Sequence, residues 1–341
     1  MNRTIVRILL LLLLVPASPA AGQAAGAFSR MGFGARGVAM GNALVADGSG
    51  AASPYYNPAL VPFTPQQQFE AGVALLTFDR ELQFLQFATP LKPRAGFAVG
   101  LLHAGVSGID GRDANGYHTS DLATDEFAAF MAFGLRFSER VTGGINLQLF
   151  RSDLLDGVDA VNTVGVDAGW TVQASEALRL GLAIDDLLAR YSWDTSEAFG
   201  DGGKTTEDRF PTRLRFGAAY RALDGRLHVT GEYEARFVTA EHRTRQVELF
   251  GDTPIEVTRT ENLRLRDGVL RLGGEYHVAE ALALRGGFDR LGDGAFGAIQ
   301  PTFGFMVAQP VGTLNVHAEY AFALEPYALG TLHLLTLRLD L

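Results

Sequence analysis

Residues 270–289, LRLGGEYHVAEALALRGGFD, decide how the rest of the chain is read. Leu270, Leu272, Tyr276, Leu282, Leu284 and Phe288 fall on one side of a period-two pattern, and Arg271, Glu275, His277, Arg285 and Asp289 fall on the other. Such alternation belongs to paired strands with one apolar and one water-facing wall. It recurs in both directions along the chain. Leu227, Val229 and Tyr233 oppose His228, Thr230, Glu232 and Glu234; Leu314, Val316 and Tyr320 oppose Asn315, His317 and Glu319. At the end of the chain Leu335, Leu337, Leu339 and Leu341 oppose Thr336, Arg338 and Asp340. Fourteen stretches carry the pattern, near 68–78, 81–89, 95–104, 126–137, 141–150, 163–172, 178–188, 212–220, 226–238, 268–277, 281–289, 298–308, 311–322 and 331–341. Their lengths suit tilted membrane strands of roughly 9–11 residues.

The connections alternate too. Segments 90–94, 138–140, 173–177, 221–225, 278–280 and 309–310 are tight, whereas 105–125, 151–162, 189–211 and 239–267 are long and polar. Short turns on one side and long loops on the other are the habit of outer-membrane barrels, and place both termini on the periplasmic side. Segments 79–80, 290–297 and 323–330 then belong to the outer side. Within 239–267, residues 247–260 keep partial alternation around Gly251-Asp252 and read as a protruding hairpin. A soluble antiparallel barrel or sandwich shares the alternation, but its apolar face must be a closed core.

At the N-terminus, Arg3 and Arg7 precede the apolar run Ile8 to Val15, with small residues at Ser18-Pro19-Ala20 and again at Gly22-Gln23-Ala24. This reads as an export signal over residues 1–20, with Ala24 as a second cleavage point, and is too short to span a bilayer. Taking Arg3 and Arg7 from the 29 basic residues leaves 27 against 38 acidic ones, an unsuitable balance for a nucleic-acid surface. With no cysteine, disulfides, thiolate metal sites and thiol catalysis are excluded. Beyond the leader no run reaches 18 apolar residues, so a membrane-embedded form must cross with strands, and the sheet must close.

Enzymatic chemistry finds no template. His103, His118, His228, His242, His277, His317 and His333 are scattered, and neither a Gly-x-Ser-x-Gly elbow nor a His-Glu-x-x-His helix accompanies them. Gly32 and Gly34 lack the strand and helix of a dinucleotide fold. Asp110, Asp113, Asp121, Asp125 and Glu126 gather in one connection, but their spacing is not an EF-hand, and a solvated acidic surface is the simpler reading than calcium. No catalytic residue, cofactor or metal is expected.

Residues 27–63 do not alternate. They contain Arg36-Gly37-Val38-Ala39-Met40-Gly41-Asn42-Ala43, then Asp47-Gly48-Ser49-Gly50-Ala51-Ala52, then Tyr56-Asn57-Pro58-Ala59-Leu60. In these motifs, and in the hairpin quoted first, the chain resembles outer-membrane barrels of the FadL-like superfamily. It is most similar to their PorV/PorQ-like branch, whose members carry Arg-Gly-x-x-Met-Gly-x-Ala, an Asp-rich small-residue stretch and Asn-Pro-Ala before the first strand. The resemblance covers the whole mature chain. It implies an all-β, closed antiparallel transmembrane barrel of about 14 strands over residues 67–341, with an N-terminal plug over 21–66 folded into the lumen. By the same carry-over Arg36, Met40, Gly41 and Asp47 belong to the first plug motif, and Asn57, Pro58 and Ala59 form the turn entering the barrel. Two departures stand out. Leu60 follows Ala59 where the broader pattern often has glycine, and the last strand ends in Leu341 rather than an aromatic residue.

Arg271, Glu275, Arg285, Asp289, His317 and Glu319 lie on the water-facing sides and are expected to line the lumen, where Arg36 and Asp47 would meet them. Glycines within strands, among them Gly96, Gly134, Gly217 and Gly273, leave space for close approach of a lumenal segment. The resemblance implies passive passage of hydrophobic or amphipathic small molecules across the outer membrane. Its alternative is a noncatalytic part in type IX secretion or cell-surface attachment. Expected partners are outer-membrane lipid and lipopolysaccharide, together with hydrophobic small molecules or secretion-system proteins.

Overall fold

The computed structural model describes residues 25–49, 53–154, 158–196, 200–250, 253–291, 299–324 and 330–341. The expected leader and both cleavage points lie outside them, as do Gly50-Ala51-Ala52, Gly251-Asp252 and most of connections 290–297 and 323–330. The strands are β1 (Gln68–Leu76), β2 (Arg80–Leu91), β3 (Ala95–Arg112), β4 (His118–Arg136), β5 (Val141–Asp153), β6 (Val161–Gln173), β7 (Leu178–Leu187), β8 (Arg190–Asp194), β9 (Thr205–Arg209), β10 (Thr212–Ala222), β11 (Leu227–Phe250), β12 (Thr253–Ala279), β13 (Leu282–Leu291), β14 (Gln300–Val311), β15 (Leu314–Leu324) and β16 (Thr331–Asp340).

All but β8 and β9 form one closed antiparallel barrel in which each wall strand pairs with its neighbours in sequence. β1 closes the wall against β16 with Ala71 opposite Leu337, so the alternation running to the end of the chain serves the seam. Outward-facing Leu101, Met131, Phe133, Ile145, Leu147, Phe216, Leu284, Phe305 and Leu337 are all exposed. Exposed apolar side chains around the whole wall require a lipid solvent. On β4 the apolar face runs from Phe127 to Phe137, which at ~3.3 Å per residue and a tilt of ~40° makes a band roughly 25 Å high. Phe137, Trp170, Tyr220 and Tyr276 are exposed close to the short turns, where an aromatic girdle belongs.

Expectations about three of the long connections are corrected. Segment 105–125 is not a loop, because β3 and β4 continue as a ladder to Arg112 opposite His118, and β5 and β6 likewise extend to Ser152 opposite Val161. Segment 239–267 is also strand, with the β11–β12 ladder unbroken to Phe250 opposite Thr253, as the protruding-hairpin reading of 247–260 anticipates. Above the lipid nothing demands an apolar face, so the sequence alternation fades while the backbone goes on pairing. His103 lies inside β3, facing outward and stacked on Phe127.

Candidate functional site

The described N-terminal residues lie inside the barrel. Two short helices, α1 (Gly34–Ala39) and α2 (Ser53–Tyr56), and 3₁₀ turns at Ala27–Arg30 and Pro58–Phe63 carry them across the lumen. A chain this short of regular helix leaves backbone groups unpaired, and the wall supplies partners for them. The Ala35 N–H donates to Thr336 Oγ1 at 2.9 Å, the Val45 N–H to Glu232 Oε2 at 3.0 Å, and Thr302 Oγ1 donates to the Ala39 carbonyl at 2.8 Å.

Arg36 is the centre of this arrangement. Its Nη2 donates to Asp47 Oδ2 at 2.6 Å and to Ser49 Oγ at 2.9 Å, while Nε and Nη2 reach the two Glu275 oxygens at 3.0 and 3.1 Å. Nη1 donates to the Ser49 carbonyl at 2.8 Å. The guanidinium thus joins two plug groups to one wall carboxylate in the fork geometry that lysine does not offer. Burial alone would raise the Asp47 carboxyl, yet Arg36 and the Ser49 hydroxyl outweigh it and hold it below the usual carboxylate range. From Glu275 the network continues to Arg285 (2.6 Å), Glu319 (2.5 Å), Arg338 (3.3 Å) and Asp340, which His317 reaches at 2.9 Å. A second network joins Arg271 to Glu232, Glu234 and Asp289, and Arg213 and Arg215 to Asp185. All six wall residues singled out from sequence therefore face inward, and Arg36 meets Glu275 directly.

Asn57 builds the turn into the wall. Its Oδ1 accepts the Ala59 N–H at 2.9 Å and its Nδ2 donates to the Val45 carbonyl at 2.7 Å. Pro58 and Ala59 are buried, and the Pro58 backbone lies against Gly144 and Gly134 of the wall. Inward-facing wall glycines mark where the plug touches the sheet: Gly96 meets the backbone of Val61, Gly181 that of Val45 and Gly273 that of Met40, while Gly169 meets the Asn57 side-chain amide. Gly41 has φ +60 and packs against the Phe288 and Leu272 carbonyls, so both its conformation and its contact exclude a side chain. Through these contacts, with Pro58–Phe63 against β2–β6 and α1 against β13–β16 and β1, the plug touches every wall strand.

The lumen is not the watered, uniformly polar channel that the alternation of charged residues predicts. Beside β16 and β1–β5 it holds an apolar cluster, in which Phe84, Leu102, Phe130, Phe150, Leu332 and Leu334 pack against Phe28, Phe33, Met40, Leu44 and Tyr56 of the plug. Phe33 lies 4.3 Å from Phe84 and 4.9 Å from Tyr55 between ring centres. Tyr55 and Tyr56 were not legible as site residues, although they precede the quoted Asn57. The Tyr56 hydroxyl accepts the Phe33 N–H at 3.0 Å and donates to Asn42 Oδ1 at 2.5 Å, and burial pushes the Tyr55 hydroxyl up to about 12. In the charged part a space of about 30 Å³ remains among Arg30, Tyr55, Asp167, Asp185 and Arg213, the scale of single waters.

The other sequence candidates are not brought together. Asp110 pairs with Arg112 and His118, Asp125 with His103, and no metal-holding group of carboxylates and histidines occurs among the described residues. His228 and His277 approach to 5.9 Å between ring centres near the short-turn mouth, where Ser49 Oγ lies 3.5 Å from His228.

No family model matches the chain, and no curated protein matches it. Solved structures do. The toluene transporter TodX of Pseudomonas putida superposes with a TM-score of 0.60 at 16% identity, covering 90% of this chain and 96% of that one. The CymD monoaromatic hydrocarbon channel gives 0.61 at 13% identity over 91% and 96%, and a FadL homologue of Pseudomonas aeruginosa gives 0.57 at 11% over 95% and 98%. The fold is that of these channels. At such identities the likeness speaks for architecture, and the side chains of the lumen speak for themselves.

Proposed function

We propose that this chain is an outer-membrane conduit for passive passage of small hydrophobic or amphipathic molecules. The observation that carries the reading is the lumen itself: an aromatic-rich apolar cluster packed between plug and wall, beside a network of buried ion pairs. Molecules captured by the outer segments would partition into the chamber, and a shift of the plug or an opening of the wall would release them. No step requires catalysis. Structures sharing the fold are described as a toluene transporter and a monoaromatic hydrocarbon channel, which supports the same substrate class here. The orientation follows the turn lengths, with both termini at the periplasmic side and the plug running through the lumen. Deletion of the gene, followed by uptake of labelled fatty acids and aromatic hydrocarbons, tests the reading; unchanged uptake across the panel would reject it.

A noncatalytic role in secretion or surface attachment is the second reading. It is favoured by the plug motifs and by the contact of the plug with every wall strand, a seal that an assembly component tolerates better than a channel. Native pull-down under secreting conditions, yielding neither cargo nor secretion subunits, would count against it.

A further inference from the structure

The connection between β7 and β10 turns into the barrel mouth. Pairing of β7 with β10 stops at Asp185 opposite Arg213, and pairing with β6 stops at Leu187 opposite Val166. Asp186 and Leu188 then adopt φ values of 60 and 70, left-handed at residues with side chains, which marks a sharp change of course. The β8–β9 ribbon that follows is buried at its base and at Tyr191 and exposed along β9. Ala189, Tyr191 and Phe210 are buried in the apolar chamber, with Phe210 at 4.8 Å from Phe150 and 5.0 Å from Tyr191 between ring centres. Thr205–Arg209, the whole of β9, is exposed on both faces.

We infer that β8–β9 is a gate over the apolar chamber, with Tyr191 and Phe210 as its stopper and Asp186–Leu188 as its hinge. The inference rests on the passage reading above and supplies its entrance. The two closures of the lumen are unequal. The plug is tied to every wall strand by backbone contacts and buried ion pairs, whereas the ribbon carries a ladder of only its own two strands. Besides those aromatic side chains it is held by the Arg190 N–H donating to Thr163 Oγ1 at 3.2 Å and by side-on contact of β8 with β6 and of β9 with β11, two wall strands against the plug's fourteen. The outer closure therefore yields first. Its seat is partly made by the plug, since the Phe210 ring fills the space over Gly26 and Arg30 lies 5.9 Å from its centre. Arg30 and Arg213 also approach Asp186, at 3.9 and 2.9 Å, so hinge and plug share a contact. Lifting the ribbon exposes the aromatic chamber and loosens the first residues of the plug in one movement.

The absence of native cysteine allows a single reporter. Ala128 is buried on the chamber face of β4, opposite Phe150. In the full-length Ala128→Cys protein, a membrane-impermeant maleimide should react slowly from outside, and adding Tyr191→Ala with Phe210→Ala should speed it about tenfold or more, as labelling follows the open population. Phe210→Leu, which keeps an apolar stopper, should leave the rate near that of the reporter alone. Equal rates in all three, in barrels shown folded by heat-modifiable migration, would overturn the gate. A tether provides the reverse test: a Cβ at Gly165 would lie 3.5 Å from that of Ala189, within disulfide range. Oxidised Gly165→Cys/Ala189→Cys cells should take up labelled toluene about tenfold more slowly than reduced ones, the opening being held shut. Uptake equal in the two states, with the disulfide verified, would also reject the gate where wild-type cells exceed deleted ones. Where deletion leaves uptake unchanged the passage reading falls, and the labelling contrast alone decides the gate.

Discussion

Replacing Arg36 by alanine tests how the plug is held. The guanidinium makes five hydrogen bonds in a buried site, to Asp47, Ser49 and Glu275. After truncation Glu275 keeps Arg285 at 2.6 Å, and Asp47 keeps the Ser49 hydroxyl and N–H at 2.7 and 3.1 Å. Removing one partner of a buried pair costs about 3–5 kcal/mol, and the remaining partners of Glu275 place this case near the lower figure, about 3 kcal/mol. That corresponds to roughly a hundredfold rise in the population of states with the plug displaced. In planar bilayers the intact mature protein should conduct little, and Arg36→Ala should show frequent steps of larger conductance. Arg36→Lys keeps the charge but not the fork, and should fall between the two, losing about 1–2 kcal/mol. Quiet, wild-type conductance from Arg36→Ala in a barrel that migrates as folded would refute the idea that this network holds the plug.

Removal of residues 27–57 should raise steady conductance if the barrel still closes, and large conductance of the intact form, unchanged by that deletion, would show that the segment is not the barrier. Gly169→Ala should loosen the plug by about 1–3 kcal/mol, because the new Cβ would collide with the Asn57 amide; conductance and thermal stability should both report it. The depressed Asp47 carboxyl stabilises the plug at pH values above its ordinary value of about 4, and that contribution is lost as pH falls through the lower folded value. Leak should thus stay flat between about pH 5 and 8 and rise only in stronger acid, and leak that rises near neutrality would point to other groups. Leu147→Arg, on the lipid face midway along β5, should destabilise the folded barrel by about 2–4 kcal/mol in urea titrations, whereas a lumenal substitution would behave differently.

The barrel was legible in the sequence because lipid imposes a local rule. Each outward residue must be apolar whatever its neighbours do, so Leu270, Leu272, Leu335 and Leu337 announce their face without knowledge of any partner. All fourteen wall strands appear where that rule applies, and their ends blur where it lapses, as beyond Gly105 on β3 and Thr239 on β11. The short motifs around Arg36 and Asn57 point to a lumenal segment, but not to its contacts. What joins Arg36 to Glu275 across 239 residues, or Ala35 to Thr336 across 301, is the angle at which the chain enters the closed wall. A single strand shows which residues point inward, but not what they meet there. Whether an inward side chain faces water, a guanidinium or a phenyl ring depends on what else occupies the same depth of the lumen. Only the assembled structure brings Phe33 against Phe84, turns Tyr191 and Phe210 into the mouth, and divides the interior into an apolar and a charged part.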